Sequence, residues 1–120
     1  MAKRLTIRTK RIYEAAAPGD GRRILVDRLW PRGVKKETAR IDEWVRDVAP
    51  SDSLRAWFGH EPAKWEEFQR RYAAELEANE AAWRPIAKAA AAGDVTLLFA
   101  ARDIEHNNAV ALRLFLEGKR

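Results

Sequence analysis

Leu25-Val26-Asp27-Arg28-Leu29-Trp30-Pro31-Arg32-Gly33 sets one carboxylate, two guanidinium groups and an indole directly behind an apolar run, then closes with Pro and Gly. Ile24, Leu25, Val26 and Leu29 make residues 23–29 nearly continuously apolar, the pattern of a strand buried on both faces of a parallel sheet. Pro31 cannot continue such a strand, because it lacks the ladder donor and restricts the residue before it. The stretch therefore predicts a central strand whose carboxyl end carries polar functional groups.

Downstream, Val95-Thr96-Leu97-Leu98-Phe99-Ala100-Ala101 is a second buried strand of the same kind, followed by the polar run Arg102-Asp103-Ile104-Glu105-His106-Asn107-Asn108. Residues 109–116 are then apolar enough for a helix packed deeply on a sheet. Between the two strands lie helical patterns. Pro50-Ser51-Asp52-Ser53 starts one, with Ser51 or Asp52 as N-cap and Leu54, Trp57 and Phe58 on one face, and Gly59 stops it. Trp65, Phe68, Tyr72 and Leu76 step by three or four in an amphipathic helix. A further helix covers about 80–92, with a bend expected at Pro85 and a stop at Gly93-Asp94. Upstream, Leu5 and Ile7 suggest a strand near 4–9, and Pro18-Gly19-Asp20-Gly21 is a loop. Residues 41–48 suit either a helix or a strand. This alternation predicts a small single-domain α/β fold over residues 1–120, with at least two central parallel strands, about 23–29 and 95–101, flanked by helices.

At 120 residues, 47% hydrophobic and 34% charged, the chain suits one folded domain with a sizeable core. It has no cysteine, so disulfides, thiolate chemistry and Cys-based metal sites are excluded. The N-terminus lacks the apolar core of a secretory signal, and no apolar run approaches bilayer length; a cytoplasmic protein without membrane contact is expected. The net charge of +5 is uneven: residues 1–40 carry twelve Lys/Arg against four Asp/Glu, whereas residues 41–83 carry five against ten. A basic first third suits an anionic metabolite or a nucleic acid, or it is simply a solvated surface.

Ligands of open parallel sheets bind outside the carboxyl ends of the strands. Both buried strands end in polar clusters, so if they are neighbours the clusters converge. Asp27 is the leading carboxylate for acid–base work, although bonding the amides of the next loop is as common a use. Arg28, Arg32 and Arg102 are candidates for a phosphate or carboxylate clamp, because guanidinium offers planar bidentate donors. Trp30 is placed to stack on a planar ligand or to cap the core edge. Asp103 fits the N-cap of the last helix, and that helix's positive end would favour a neutral His106, which suits a general base. Asn107 would orient the substrate. His60, on a helix-ending corner, either swings toward the same crevice or faces solvent.

No metal site is expected, since His60 and His106 lie far apart without ligand spacing. The sequence offers no Gly-x-Gly-x-x-Gly, phosphate-binding loop or Gly-x-Ser-x-Gly elbow, which removes the main support for Rossmann dinucleotide binding, NTP hydrolysis and elbow hydrolases. The cofactor and the oligomeric state are unspecified.

The run 25–33, the stretch Trp44 to Pro50-Ser51 with Leu54-Arg55, the pattern Trp65-x-x-Phe68-x-x-x-Tyr72-x-x-Glu75-Leu76, and Thr96-Leu97-Leu98 through His106-Asn107-Asn108-Ala109 resemble the small bacterial YeaO-like proteins, a branch of a large domain family of unknown function. The resemblance covers nearly the whole chain and implies a stand-alone cytoplasmic α/β domain. Methyltransferase and transcription-regulator labels attached to some members find no support here: the chain lacks a Gly-rich methyl-donor loop and a helix-turn-helix with a basic recognition helix. The residues point to an enzyme or binder of an anionic small molecule, phosphate- or carboxylate-bearing and nucleotide-like in one version. The alternative is a nucleic-acid-binding or regulatory module using the basic first third.

Overall fold

A computed structural model describes residues 6–118. Four strands, β1 (Ile7–Arg11), β2 (Arg22–Leu25), β3 (Glu43–Trp44) and β4 (Val95–Phe99), form one sheet in the order β1-β4-β2-β3, all parallel. Five α-helices accompany it: α1 (Lys36–Ala39), α2 (Asp52–Phe58), α3 (Trp65–Glu77), α4 (Glu80–Ala92) and α5 (Asn108–Glu117). The expected α/β class holds, and the two apolar runs are indeed the central, adjacent strands, paired Ile24↔Leu97 and Leu25↔Leu98.

Several boundaries differ from expectation. The first strand spans Ile7–Arg11 rather than 4–9, and residues 1–5 lie outside the described residues. β2 and β4 are shorter than 23–29 and 95–101, because after one more ladder bond, Val26 N–H to the Leu98 carbonyl at 3.1 Å, the Asp27 side chain takes over the Ala100 amide. The undecided segment 41–48 is a two-residue strand followed by a 3-10 turn, Arg46–Val48. Helix α1, with no buried residue of its own, had no sequence signal.

Strand periodicity assigns the two sheet faces. Ile24, Val26, Val95, Leu97 and Phe99 join Leu54 and Phe58 of α2, Phe68, Tyr72 and Leu76 of α3, Trp83 and Ile86 of α4, and Leu112 and Leu116 of α5 in the main core. All four long helices thus share one face. Phe58 stacks on Phe68 with ring centroids 4.3 Å apart, which fixes α2 against α3. The same pair of helices is tied by polar groups. Ser51, the N-cap of α2, accepts from Leu54 N–H, and its own amide and hydroxyl donate to Glu75 at 2.9 and 2.5 Å.

The opposite face is covered by α1 and loops. Leu25 and Leu98 pack there with Ile12 and Trp44, next to a buried polar network. The Asp20 carboxylate accepts from Lys10 Nζ at 2.8 Å, Arg23 Nη1 at 2.6 Å and the Ala17 amide at 3.0 Å. Arg23, itself buried, also donates to the Ala39 and Arg40 carbonyls and so holds the end of α1. Burial works against the charge on Asp20, but Lys10, the Ala17 amide and Arg23 outweigh it and hold its pKa at about 2. Gly21, with φ +65°, leads from this network into β2; a Cβ there would lie 2.2 Å from the Asp94 carbonyl oxygen.

Two outcomes follow from this face. The folded pKa of Asp20 lies below its unfolded value of 3.8, so its contribution is complete above about pH 4 and drains as pH falls toward 2. Asp20→Asn should cost about 2 kcal/mol at pH 7 and flatten the acid limb of a chemical-denaturation series; an unchanged acid limb would contradict the assignment. Gly21→Ala should cost at least as much, about 2–3 kcal/mol, through backbone overlap and positive φ, read as a lowered denaturation midpoint.

Candidate functional site

Because β2 and β4 are parallel neighbours in matched register, their carboxyl ends open at the same level, where following loops and helix starts gather. Asp27 joins the two ends. Its Oδ2 accepts from the Ala100 amide at 2.9 Å, and its Oδ1 accepts from Asn108 Nδ2 at 3.1 Å, an amide that also reaches the Val26 carbonyl. The Asp27 carbonyl accepts from Trp44 Nε1 at 2.7 Å. One residue thus connects β2, β4, the first turn of α5 and the residue that ends β3. Burial raises the Asp27 carboxyl above its ordinary pKa; the Asn108 and Ala100 donors and the charge of Arg55 pull the other way.

Beside this junction lies a cleft of about 410 Å³ between the strand-end loops and α2. Its cations are Arg28, Arg32 and Arg55, with His60 also at the wall. Phe58, Phe68, Pro31 and Tyr13 contribute apolar surface. The Nε atom of Arg28 is buried and, among the described residues, has no hydrogen-bond partner; its nearest carboxylate is Asp52 Oδ1 at 3.7 Å. Asp52, largely exposed, also pairs with Arg55 one turn along α2. Gly59 (φ 54°) and His60 (φ 57°) are both left-handed, a geometry that glycine accepts freely and histidine at some cost. The turn carries His60 to the cleft, its ring 6.1 Å from that of Phe58.

Six of the eight sequence-selected residues line this cleft: Asp27, Arg28, Trp30, Arg32, His60 and Asn107. Their tasks differ. Trp30 meets Trp44 edge to face at 5.4 Å and donates Nε1 to the Val34 carbonyl, so it caps the second core while showing a surface to the cleft. Asn107 is buried and structural: its Oδ1 accepts from Val110 N–H, and its Nδ2 donates to the Asp103 carbonyl. This replaces Asp103 as the N-cap of α5. Asp103 instead closes a turn, accepting from the Glu105 and His106 amides, and its second oxygen lies 2.9 Å from His106 Nδ1.

Two selections fall elsewhere. His106 precedes the helix rather than sitting in its first turn, and its ring packs edge-on against Trp65 at 5.3 Å, away from the cleft. Its charged neighbour is a carboxylate, not a helix end. Arg102 is exposed and does not line the cleft either. In return the cleft uses Arg55 and Asn108, which the sequence reading passed over. The N-cap at Ser51 was the available signal for Arg55, since it puts residues 52 and 55 on one side of α2.

Six of the twelve Lys/Arg of the basic first third make contacts within the fold. Arg8 and Lys10 pair with Asp94 and Asp20, Arg22 with Glu43, Arg23 with Asp20 and Arg28 with Asp52, while Arg11 donates to the Ala100 and Ala101 carbonyls. Among the described residues no helix is long and apolar enough to cross a membrane.

Relatives match the chain over nearly its full length. An uncharacterized protein of Mycobacterium tuberculosis is 39% identical over 119 residues, covering 99% of this chain and 100% of its own. The uncharacterized protein YeaO of Escherichia coli is 41% identical over 108 residues, covering 90% of this chain and 94% of its own. Among solved structures none matches the chain. A family model described as the inactive DUF488-N3 subclade matches residues 6–120. With strand ends, capping residues and helices all inside that span, the chain belongs to the DUF488-N3i family, the YeaO-like branch its sequence resembles.

Proposed function

We propose that the protein binds a small anionic molecule in the cleft at the carboxyl ends of β2 and β4, and that it does so without turnover. The observation that carries the reading is the gathering of Arg28, Arg32 and Arg55 in the cleft wall, where the Arg28 side chain stays 32% exposed and its nearest carboxylate lies 3.7 Å away. Its Nε, buried without a hydrogen-bond acceptor, is shielded from the cleft as from water and costs about 1–3 kcal/mol. A bound phosphate or carboxylate meets the exposed parts of these guanidinium groups, which suit both ions.

Binding is favoured over chemistry by what surrounds the cleft. Both oxygens of Asp27 already hold protein donors, Asn107 is spent on capping α5, and His106 faces Asp103 and Trp65 rather than the cleft. The description of the matching family, an inactive subclade, agrees with a binding role. A nucleic-acid role loses some weight, since Arg8, Lys10, Arg22 and Arg23, four of the cations that suggested it, are paired within the fold.

Inorganic pyrophosphate titrated by calorimetry at low salt is the direct test. Arg28→Met removes the orphaned donor, so the unfolding midpoint should hold or rise while affinity falls roughly tenfold or more, about 1.4 kcal/mol. Arg55→Ala should weaken binding similarly with little change in stability, because its own ion pair is largely solvated. Wild-type affinity in both variants would overturn the reading.

A further inference from the structure

Resting on the reading of the cleft as an anion site, we infer that its ligand carries an N–H or O–H donor group alongside the anionic group, and that Asp27 accepts from that donor. Among the described residues Asp27 is the only carboxylate that lines the cleft, in a wall otherwise made of three arginines, a histidine, two asparagines and aromatic and aliphatic side chains. An ionised carboxylate has about four acceptor positions. The protein fills one on each oxygen of Asp27, from Ala100 and Asn108, so each oxygen retains acceptor capacity.

Repulsion sharpens the requirement. A ligand offering only acceptor oxygens would bring like charge against a partly buried carboxylate, where water screens poorly. A ligand with a donor converts that repulsion into a charge-assisted hydrogen bond, while its anionic end meets Arg28 and Arg55. The site thus selects by charge at one end and by donor at the other, and anions without a donor bind more weakly because they leave Asp27 opposed. The cleft volume of about 410 Å³ lies within the usual range for small-molecule sites. Tyr13 and Trp30 offer surface for a planar body. Two sources share this chemistry. A nucleoside monophosphate presents N–H groups on its base, and an aromatic amino acid presents an ammonium group.

Matched probes separate donor from anion and one source from the other. Calorimetric titration of the wild-type chain would compare guanosine monophosphate with phenyl phosphate, and phenylalanine with 3-phenylpropionate, which lacks the ammonium; pyrophosphate serves as the bare anion. The donor-bearing member of at least one pair should bind at least tenfold more tightly than its partner, and that pair identifies the source. Asp27→Asn, with its fold checked by circular dichroism and thermal unfolding, should reduce that preference to less than threefold. Equal affinities within both pairs, with pyrophosphate still bound, would overturn the donor requirement and leave the anion reading standing. Failure of every probe, pyrophosphate included, would overturn both. If Asp27→Asn does not fold, the wild-type comparison decides alone.

Discussion

The Asp27 carboxylate is the junction on which the carboxyl edge of the sheet depends. Parallel strands end with unpaired backbone groups, and a buried end needs partners for them. Asp27 supplies one to Ala100 where the β2–β4 ladder stops, and through Asn108 it fastens the first turn of α5 to the end of β2. Its own carbonyl holds Trp44. The cost is a carboxylate kept out of water, visible in its raised pKa. Neighbouring residues inherit their positions from this junction: Arg28 follows it directly, and the loops that flank the cleft leave from it.

The two faces of the sheet do different work. The helical face is apolar and aromatic, and it places α2 through the Phe58–Phe68 stack and the Ser51–Glu75 bonds, so that Arg55 shares the cleft wall and the Asp52 carboxylate with Arg28. The other face is short of helices and substitutes a buried ionic network for them. Asp20, Lys10 and Arg23 bind the 17–20 turn, β1, β2 and the end of α1 together. Such a network is geometrically demanding rather than strongly stabilising, because its charges must first be stripped of water. Its usefulness here lies in setting the path of the chain over a face that no long helix covers.

Hydrophobic periodicity made the fold legible. The two apolar runs could only be central strands, and α3 and α4 were readable from residues 65–76 and 80–92 because large apolar side chains recur at helical spacing. Helix α1 was not, since a four-residue helix with only Ala39 partly buried, its end held by Arg23, leaves no pattern. The candidate site was legible where it depends on strand ends: Asp27 to Arg32 sit at the cleft because they follow directly on the carboxyl end of β2. It was not legible across the 102–108 loop. There two asparagines and one aspartate competed for the N-cap, and choosing Asp103 over Asn107 moved His106 from a turn onto a helix it does not belong to. Local polar residues cap many geometries, and only tertiary packing, here the edge-on contact of His106 with Trp65, selects among them.

The account stands on Arg28 and Arg55 facing an anion together beside Asp27. The most direct measurement is an NMR titration of isotope-labelled protein with pyrophosphate, following the guanidinium Nε–Hε signals and the backbone amides. The account predicts saturable shifts at the Arg28 and Arg55 side chains and at the Ala100 and Asn108 amides, with Lys35, Lys36 and Arg40 unmoved. Shifts spread over those exposed cations, or none at Arg28 and Arg55, would contradict it.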